Sequence, residues 1–241
     1  MTPSLDINSI FSAILHAMSP LEMAAAVTSL LCVWLTVRNN IWNWLWGFIG
    51  VVLYGIVFYR QQLYANAALQ ILYYMPIQFI GFYVWLRTGP NKNDDLPVSV
   101  LTTRERLIAI GAMVGLSVVF YFALKDWLPA LFPKIQPDPQ AGLDGITTAV
   151  SIVAQYLQVP KKFENWILWF GVDVAYVELF IKQKPIMWPS LILYIIFVGL
   201  AAKGMLDWTR ILRQQAEAKN LAAQAAAEEE SRRAEPIRPS A

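Results

Sequence analysis

Seven apolar stretches separated by polar breaks run along the chain: Leu21 to Val37, Ile41 to Tyr59, Ala65 to Leu86, Leu107 to Leu128, Ile146 to Val159, Trp166 to Ile181 and Trp188 to Leu206. A helix needs about 17 to 25 residues to cross roughly 30 Å of hydrocarbon, so each stretch is read as a membrane span. The fifth is the shortest and carries Thr147, Thr148, Ser151 and Gln155. Ahead of them, Ile7, Ile10, Phe11, Ile14, Leu15 and Met18 recur at helical spacing, with Asp6, Asn8, Ser9, Ser12 and His16 elsewhere. This predicts an amphipathic interfacial helix over residues 1–20, ended by Pro20. With no basic residue before its apolar face, it makes a poor secretory signal. After Trp208 a tail rich in Ala, Glu, Arg and Gln is expected to continue the last helix until Pro236 and Pro239 stop it.

The stretch from Asn43 to Gln61 returns 122 positions later as Asn165 to Gln183. At that offset Ser29/Ser151, Leu35/Leu157, Val37/Val159, Asn43/Asn165, Trp44/Trp166, Phe48/Phe170, Val52/Val174, Tyr54/Tyr176, Phe58/Phe180, Gln61/Gln183 and Leu69/Leu191 are identical. Apolar bias alone does not readily reproduce an Asn-Trp pair followed by Phe, Tyr and Gln at fixed distances, so the chain is read as a duplicated unit. Spans 1 to 3 and 5 to 7 are the copies, and span 4 joins them. Three helices per copy would leave the copies inverted; one extra crossing restores their orientation. The fold expected is an all-α integral membrane protein with seven transmembrane helices in a 3+1+3 parallel repeat, a pattern found in transporters. Its units are 1–20, the interfacial helix; 21–87, the first repeat; 88–139, the linker; 140–208, the second repeat; and 209–241, the tail.

Composition sharpens this reading. Of 241 residues 57% are apolar and 15% charged, far from a soluble domain. The single cysteine, Cys32, forms no intrachain disulfide, and the single histidine, His16, precedes the first span. No metal or other cofactor and no nucleic-acid partner is indicated. One face of the bilayer collects Arg60, Lys125, Lys134, Lys182 and Lys184; the other collects Arg38, Arg87, Lys92, Arg104, Arg106, Lys161, Lys162, Arg210, Arg213 and Lys219. The richer face is cytoplasmic by the positive-inside rule. The amino terminus then lies outside and the carboxy terminus inside.

Polar groups at bilayer depth are costly unless they face a protein interior or a watered cavity. Asn165, Trp169, Asp173 and Tyr176 share one face of span 6, and Gln70, Tyr74, Gln78, Gly81 and Trp85 share one face of span 3. Asn43, Trp46, Gly47, Gly50 and Tyr54 mark a face of span 2. Such groups can knit helices together, but three stripes of amides and rings exceed what helix association requires. They suit a small ligand, planar at one end and rich in hydroxyls or amides elsewhere, with Trp and Tyr to stack on a ring or a delocalised cation. Lys203 is expected to snorkel to the cytoplasmic interface. Gly111 and Gly115 on span 4 form a GxxxG pattern that could join copies, a trimer being one arrangement.

The segments LYANAALQILYYMPIQFIGFYVW (Leu63 to Trp85) and ENWILWFGVDV (Glu164 to Val174), within a 3+1+3 duplication, resemble the PnuC vitamin transporters, which are similar in fold to the SWEET sugar transporters. The resemblance runs from about Leu21 to Trp208. It implies uptake of nicotinamide riboside across the bacterial inner membrane by facilitated diffusion, with cytoplasmic phosphorylation making uptake net inward. It places substrate positions on Gln70, Tyr74, Gln78, Asn165, Trp166, Trp169 and Asp173, with Asn43 and Trp46 beside them. The family more often carries an amide where this chain has Asp173. Thiamine, riboflavin or a sugar is the alternative cargo. A membrane enzyme would need an intramembrane nucleophile and base or metal ligands, which the chain does not offer, and a purely structural subunit leaves the polar stripes unexplained.

Overall fold

The computed structural model describes residues 19–60, 64–87, 96–133, 135–137, 140–182 and 188–234. The expected amphipathic helix over 1–20 lies outside these residues except at its end, as do Gln61, Gln183, Lys184, Lys92 and Lys134. Apart from one isolated bridge between Ser99 and Lys162, the described structure is helical. Helix α1 is Pro20–Val37 and α2 is Asn43–Arg60. Helix α3 runs through Tyr64–Leu69, a π turn Gln70–Tyr74 and Met75–Arg87; α4 runs through Thr103–Phe122, a π turn Ala123–Trp127 and Leu128–Leu131. Then follow α5, Ala141–Gln158, α6, Glu164–Lys182, and α7, Trp188–Ala234. Four stretches, Pro20–Val37, Asn66–Arg87, Thr103–Leu131 and Ser190–Glu228, are long and apolar enough to cross a membrane by length and composition.

Local chemistry sets the ends. Ser19 caps α1 by accepting from the Glu22 N–H, while the Glu22 carboxylate accepts from the Ser19 N–H; Thr102 and Glu105 do the same for α4. Each π turn lies just ahead of a proline, Pro76 in α3 and Pro129 in α4. A proline interrupts the carbonyl ladder one turn before itself, and a widened turn there relieves the clash. Helix α5 begins at Ala141, five residues before the apolar run that forecast it. The extension is held because Gly145 brings the α5 backbone onto α4, where an added Cβ would sit 3.0 Å from the Tyr121 nitrogen and 3.2 Å from the Ser117 carbonyl. The last helix continues into the tail as expected, reaching Ala234.

The duplication is written in the backbone. Asn39 and Lys161, 122 residues apart, are the two described non-glycine residues with positive φ, at 54° and 51°. Around them four hydrogen bonds recur at that offset: Asn39 to Thr36 and Lys161 to Gln158, Asn40 to Leu35 and Lys162 to Leu157, Asn43 to Asn40 and Asn165 to Lys162, Trp44 to Ile41 and Trp166 to Phe163. Beneath these turns Trp44 meets Trp85 edge to face at 5.4 Å, and Trp166 meets Trp208 at 5.5 Å. Gly81 and Gly204 lie under the first ring of each pair, where an added Cβ would overlap it. In the third helices the offset is therefore 123, one more than in the first two. The four tryptophans join one buried core. Helix α4 has no buried residue and packs through one side against α5.

A strap closes the turn between α5 and α6. The Ser99 N–H donates to the Lys161 carbonyl (3.1 Å) and the Phe163 N–H to the Ser99 carbonyl (2.8 Å). Glu164 accepts from the Leu101 N–H (3.0 Å) and from Arg106 (3.1 Å), and Lys162 pairs with Glu105 (3.0 Å).

Candidate functional site

A cavity of about 490 Å³ opens between the two copies, within the range of small-molecule sites, roughly 300 to 1,000 Å³. The repeat supplies its walls in matched pairs. At the offset of 122, Ser29 and Ser151, Val33 and Gln155, and Thr36 and Gln158 face in from α1 and α5. From α2 and α6 come Gly47 and Trp169, Gly50 and Val172, Val51 and Asp173, and Tyr54 and Tyr176. At the offset of 123, α3 and α7 provide Gln70 and Leu193, Tyr74 and Phe197, and Gln78 and Ala201. Among the described residues lining this space none is Lys or Arg.

Of the positions singled out from the sequence, the structure brings Gln70, Tyr74, Gln78, Trp166, Trp169 and Asp173 to the cavity wall. The π turn spans Gln70 to Tyr74, and widened turns recur at functional sites because they re-aim side chains. Gln78 is held by space left opposite it: an added Cβ at Gly47 would overlap its Oε1 and lie 3.1 Å from Cys32 Sγ. Asp173 is buried on the wall and has no ion pair among the described residues. Tyr176, one turn further on, shares a hydrogen bond with Thr147 across to α5 (3.3 Å) and stacks obliquely on Tyr194 at 4.7 Å.

Asn43, Asn165 and Trp46 do not reach the wall. Asn43 and Asn165 are fully buried at the start of α2 and α6, where the Asn165 amide donates to the Lys162 carbonyl. The Asn165 amide thus braces its own turn, whereas both amide atoms of Asn43 lack a hydrogen-bond partner among the described residues. Trp46 is half-buried away from the cavity.

The sequence reading missed α1 and α5 as walls. Thr148, Ser151, Gln155 and Gln158 fall on one face of α5 at helical spacing and all line the cavity. The signal lies in the polar residues that the fifth and shortest apolar stretch carries, and in the matched Ser29 and Ser151. Tyr194 and Asn66 also line the wall, without any distinguishing pattern.

A family model described as nicotinamide mononucleotide transporter matches residues 19–210, which contain every residue of the cavity wall. The chain belongs to this family, the PnuC transporters. A nicotinamide riboside transporter PnuC from Neisseria mucosa is 32% identical over 203 residues, covering 80% of this chain and 73% of that protein. One from Escherichia coli is 29% identical over 216 residues, covering 83% and 89%. The crystal structure of a vitamin B3 transporter PnuC matches with a TM-score of 0.64 at 30% identity, over 85% of this chain and 88% of that one. As a PnuC protein the chain is a multi-pass membrane transporter and not an enzyme.

Proposed function

We propose that this protein carries nicotinamide riboside across the bacterial inner membrane by facilitated diffusion, with cytoplasmic phosphorylation of the nucleoside keeping net flux inward. All seven helices span the bilayer as a 3+1+3 parallel repeat, amino terminus outside, and copies associate, as a trimer, through the Gly111 and Gly115 face of α4. The carrying observation is the cavity wall: aromatic rings, amides and one carboxylate, without a described Lys or Arg. A pyridinium ring finds Trp and Tyr faces and a negative charge; ribose hydroxyls and a carboxamide find Gln and Ser partners. A 5′-phosphate would lose its water without gaining the cationic partners that usually replace it. The names of the relatives support this cargo.

The test is a calorimetric or tryptophan-fluorescence titration of the purified protein with nicotinamide riboside, its 5′-phosphate, thiamine and riboflavin. The riboside is expected to bind and the phosphate not. Comparable affinity for riboside and phosphate would overturn both the site and the trapping scheme; tighter binding of thiamine or riboflavin would reassign the cargo.

A further inference from the structure

The strap, residues 96–101, is held along both edges. In a bridged strand the N–H and C=O of successive residues point to opposite sides. On one side Ser99 meets the turn between α5 and α6, donating to the Lys161 carbonyl and accepting from the Phe163 N–H. On the other side Val98 meets α7: with its amide nitrogen turned toward the strap, Gln215 donates to the Val98 carbonyl at 2.9 Å and accepts from the Val98 N–H at 3.3 Å. A glutamine amide carries both a donor and an acceptor, so Gln215 stands where a neighbouring strand would. Val98 is buried, and main-chain groups out of water need such partners.

What the strap lies against gives these bonds their consequence. Val98 belongs to the core that holds Trp85, Val159, Trp166 and Trp208, and Trp166 also lines the cavity. The core therefore closes the cavity at its tryptophan end. There Trp85, near the end of α3, donates to the Val159 carbonyl, and Lys161 Nζ lies 4.2 Å from the centre of its ring. One turn thus receives both the strap and the third helix of the first copy. The strap follows α3 in the chain, yet the hydrogen bonds of Val98, Ser99 and Leu101 all run to the second copy: to α7, to the turn and to Glu164 at the start of α6. It is a tie between the copies. Transporters built from repeats work by moving one repeat against the other, and parting the copies at this end must strain the tie or strip its pins. Gln215 is half-buried, whereas each residue from Ala216 to Glu228 is exposed. Gln215 also lies beyond residues 19–210, the stretch that the family model matches.

We infer that the extension of α7 is an autoinhibitory brace: through Gln215 it pins the strap, restrains the parting of the copies at the tryptophan end and slows passage of cargo there. This rests on the proposed transport function, in whose orientation that end faces the cytoplasm. The brace touches no residue of the cavity wall that would hold cargo, so it sets a rate and leaves affinity alone.

The single cysteine, Cys32, lines the cavity and reports access to it without any cargo. The experiment uses the full-length protein in sealed vesicles whose bath faces the α7 tail. A membrane-impermeant maleimide is added to the bath, and Cys32 modification is followed by mass spectrometry. Riboside efflux and riboside affinity are measured beside it for the wild type, Gln215→Leu, Gln215→Asn and the exposed neighbour Gln214→Leu. Both Gln215 variants are expected to label and to release riboside roughly two- to tenfold faster, the weight of one hydrogen bond, with unchanged affinity, and Gln214→Leu should behave as wild type. Should one Gln215 variant fail to fold, the other carries the test. Wild-type labelling in the Gln215 variants would overturn the brace, as would equal acceleration in Gln214→Leu. Faster labelling in a protein that does not bind riboside would support the brace and remove the cargo instead.

Discussion

The indole N–H of Trp85 donates to the main-chain carbonyl of Val159 at 3.0 Å, tying the third helix of one copy to the end of the first helix of the other. Its counterpart by internal symmetry, Trp208, packs equally deep, yet its Nε1 has no partner among the described residues. Both residues sit edge-on to a second tryptophan in the same geometry, so phenylalanine at either site loses similar ring area. Trp85→Phe additionally leaves the Val159 carbonyl bare. It should lower thermal stability in detergent by about 1 to 3 kcal/mol more than Trp208→Phe. Equal shifts would mean that this hydrogen bond contributes nothing to holding the copies together.

Glycines beneath the rings and glycines on α4 should respond in opposite ways. Alanine at Gly81 or Gly204 would drive its Cβ into Trp44 or Trp166, and overpacking costs about 1 to 3 kcal/mol. Gly111 and Gly115 meet nothing within 4 Å, so leucine there is expected to leave the protomer folded. If that face joins copies, native mass spectrometry of Gly111→Leu/Gly115→Leu should show smaller assemblies. An unchanged assembly removes that face from the interface.

Gln70→Ala and Gln78→Ala should each weaken riboside binding by roughly five- to a hundredfold, since a ligand group paired in the cavity would be left bare. Gln224→Ala, on the exposed part of α7, is the control and should bind like the wild type. Indistinguishable affinities across all three variants would take α3 out of the site.

Transport is expected to proceed without ion coupling. Asp173 is the one acidic group among the described residues of the cavity wall, and no described basic group there pairs with it. Uptake into liposomes should stop when riboside concentrations equalise, with or without a proton or sodium gradient. Accumulation beyond that point driven by either gradient would refute the uniport mechanism.

The sequence by itself determined the helical membrane class, the internal repeat and the stripes on spans 3 and 6, because each rests on periodicity along one helix. Gln70, Tyr74 and Gln78, or Trp169 and Asp173, share a face whatever packs against it, and the 122-residue offset already aligned Asn39 with Lys161. Tertiary structure decided what those faces meet. It buried Asn43 and Asn165 at the starts of α2 and α6, away from the cavity wall, where the Asn165 amide serves its local turn instead of a ligand. It brought α5, whose polar residues interrupt the shortest apolar stretch, to the cavity wall. The slip from 122 to 123 in the third helices, which pairs Trp85 with Trp208, emerged only from ring packing, since linear alignment sees identity and not which ring lies against which glycine.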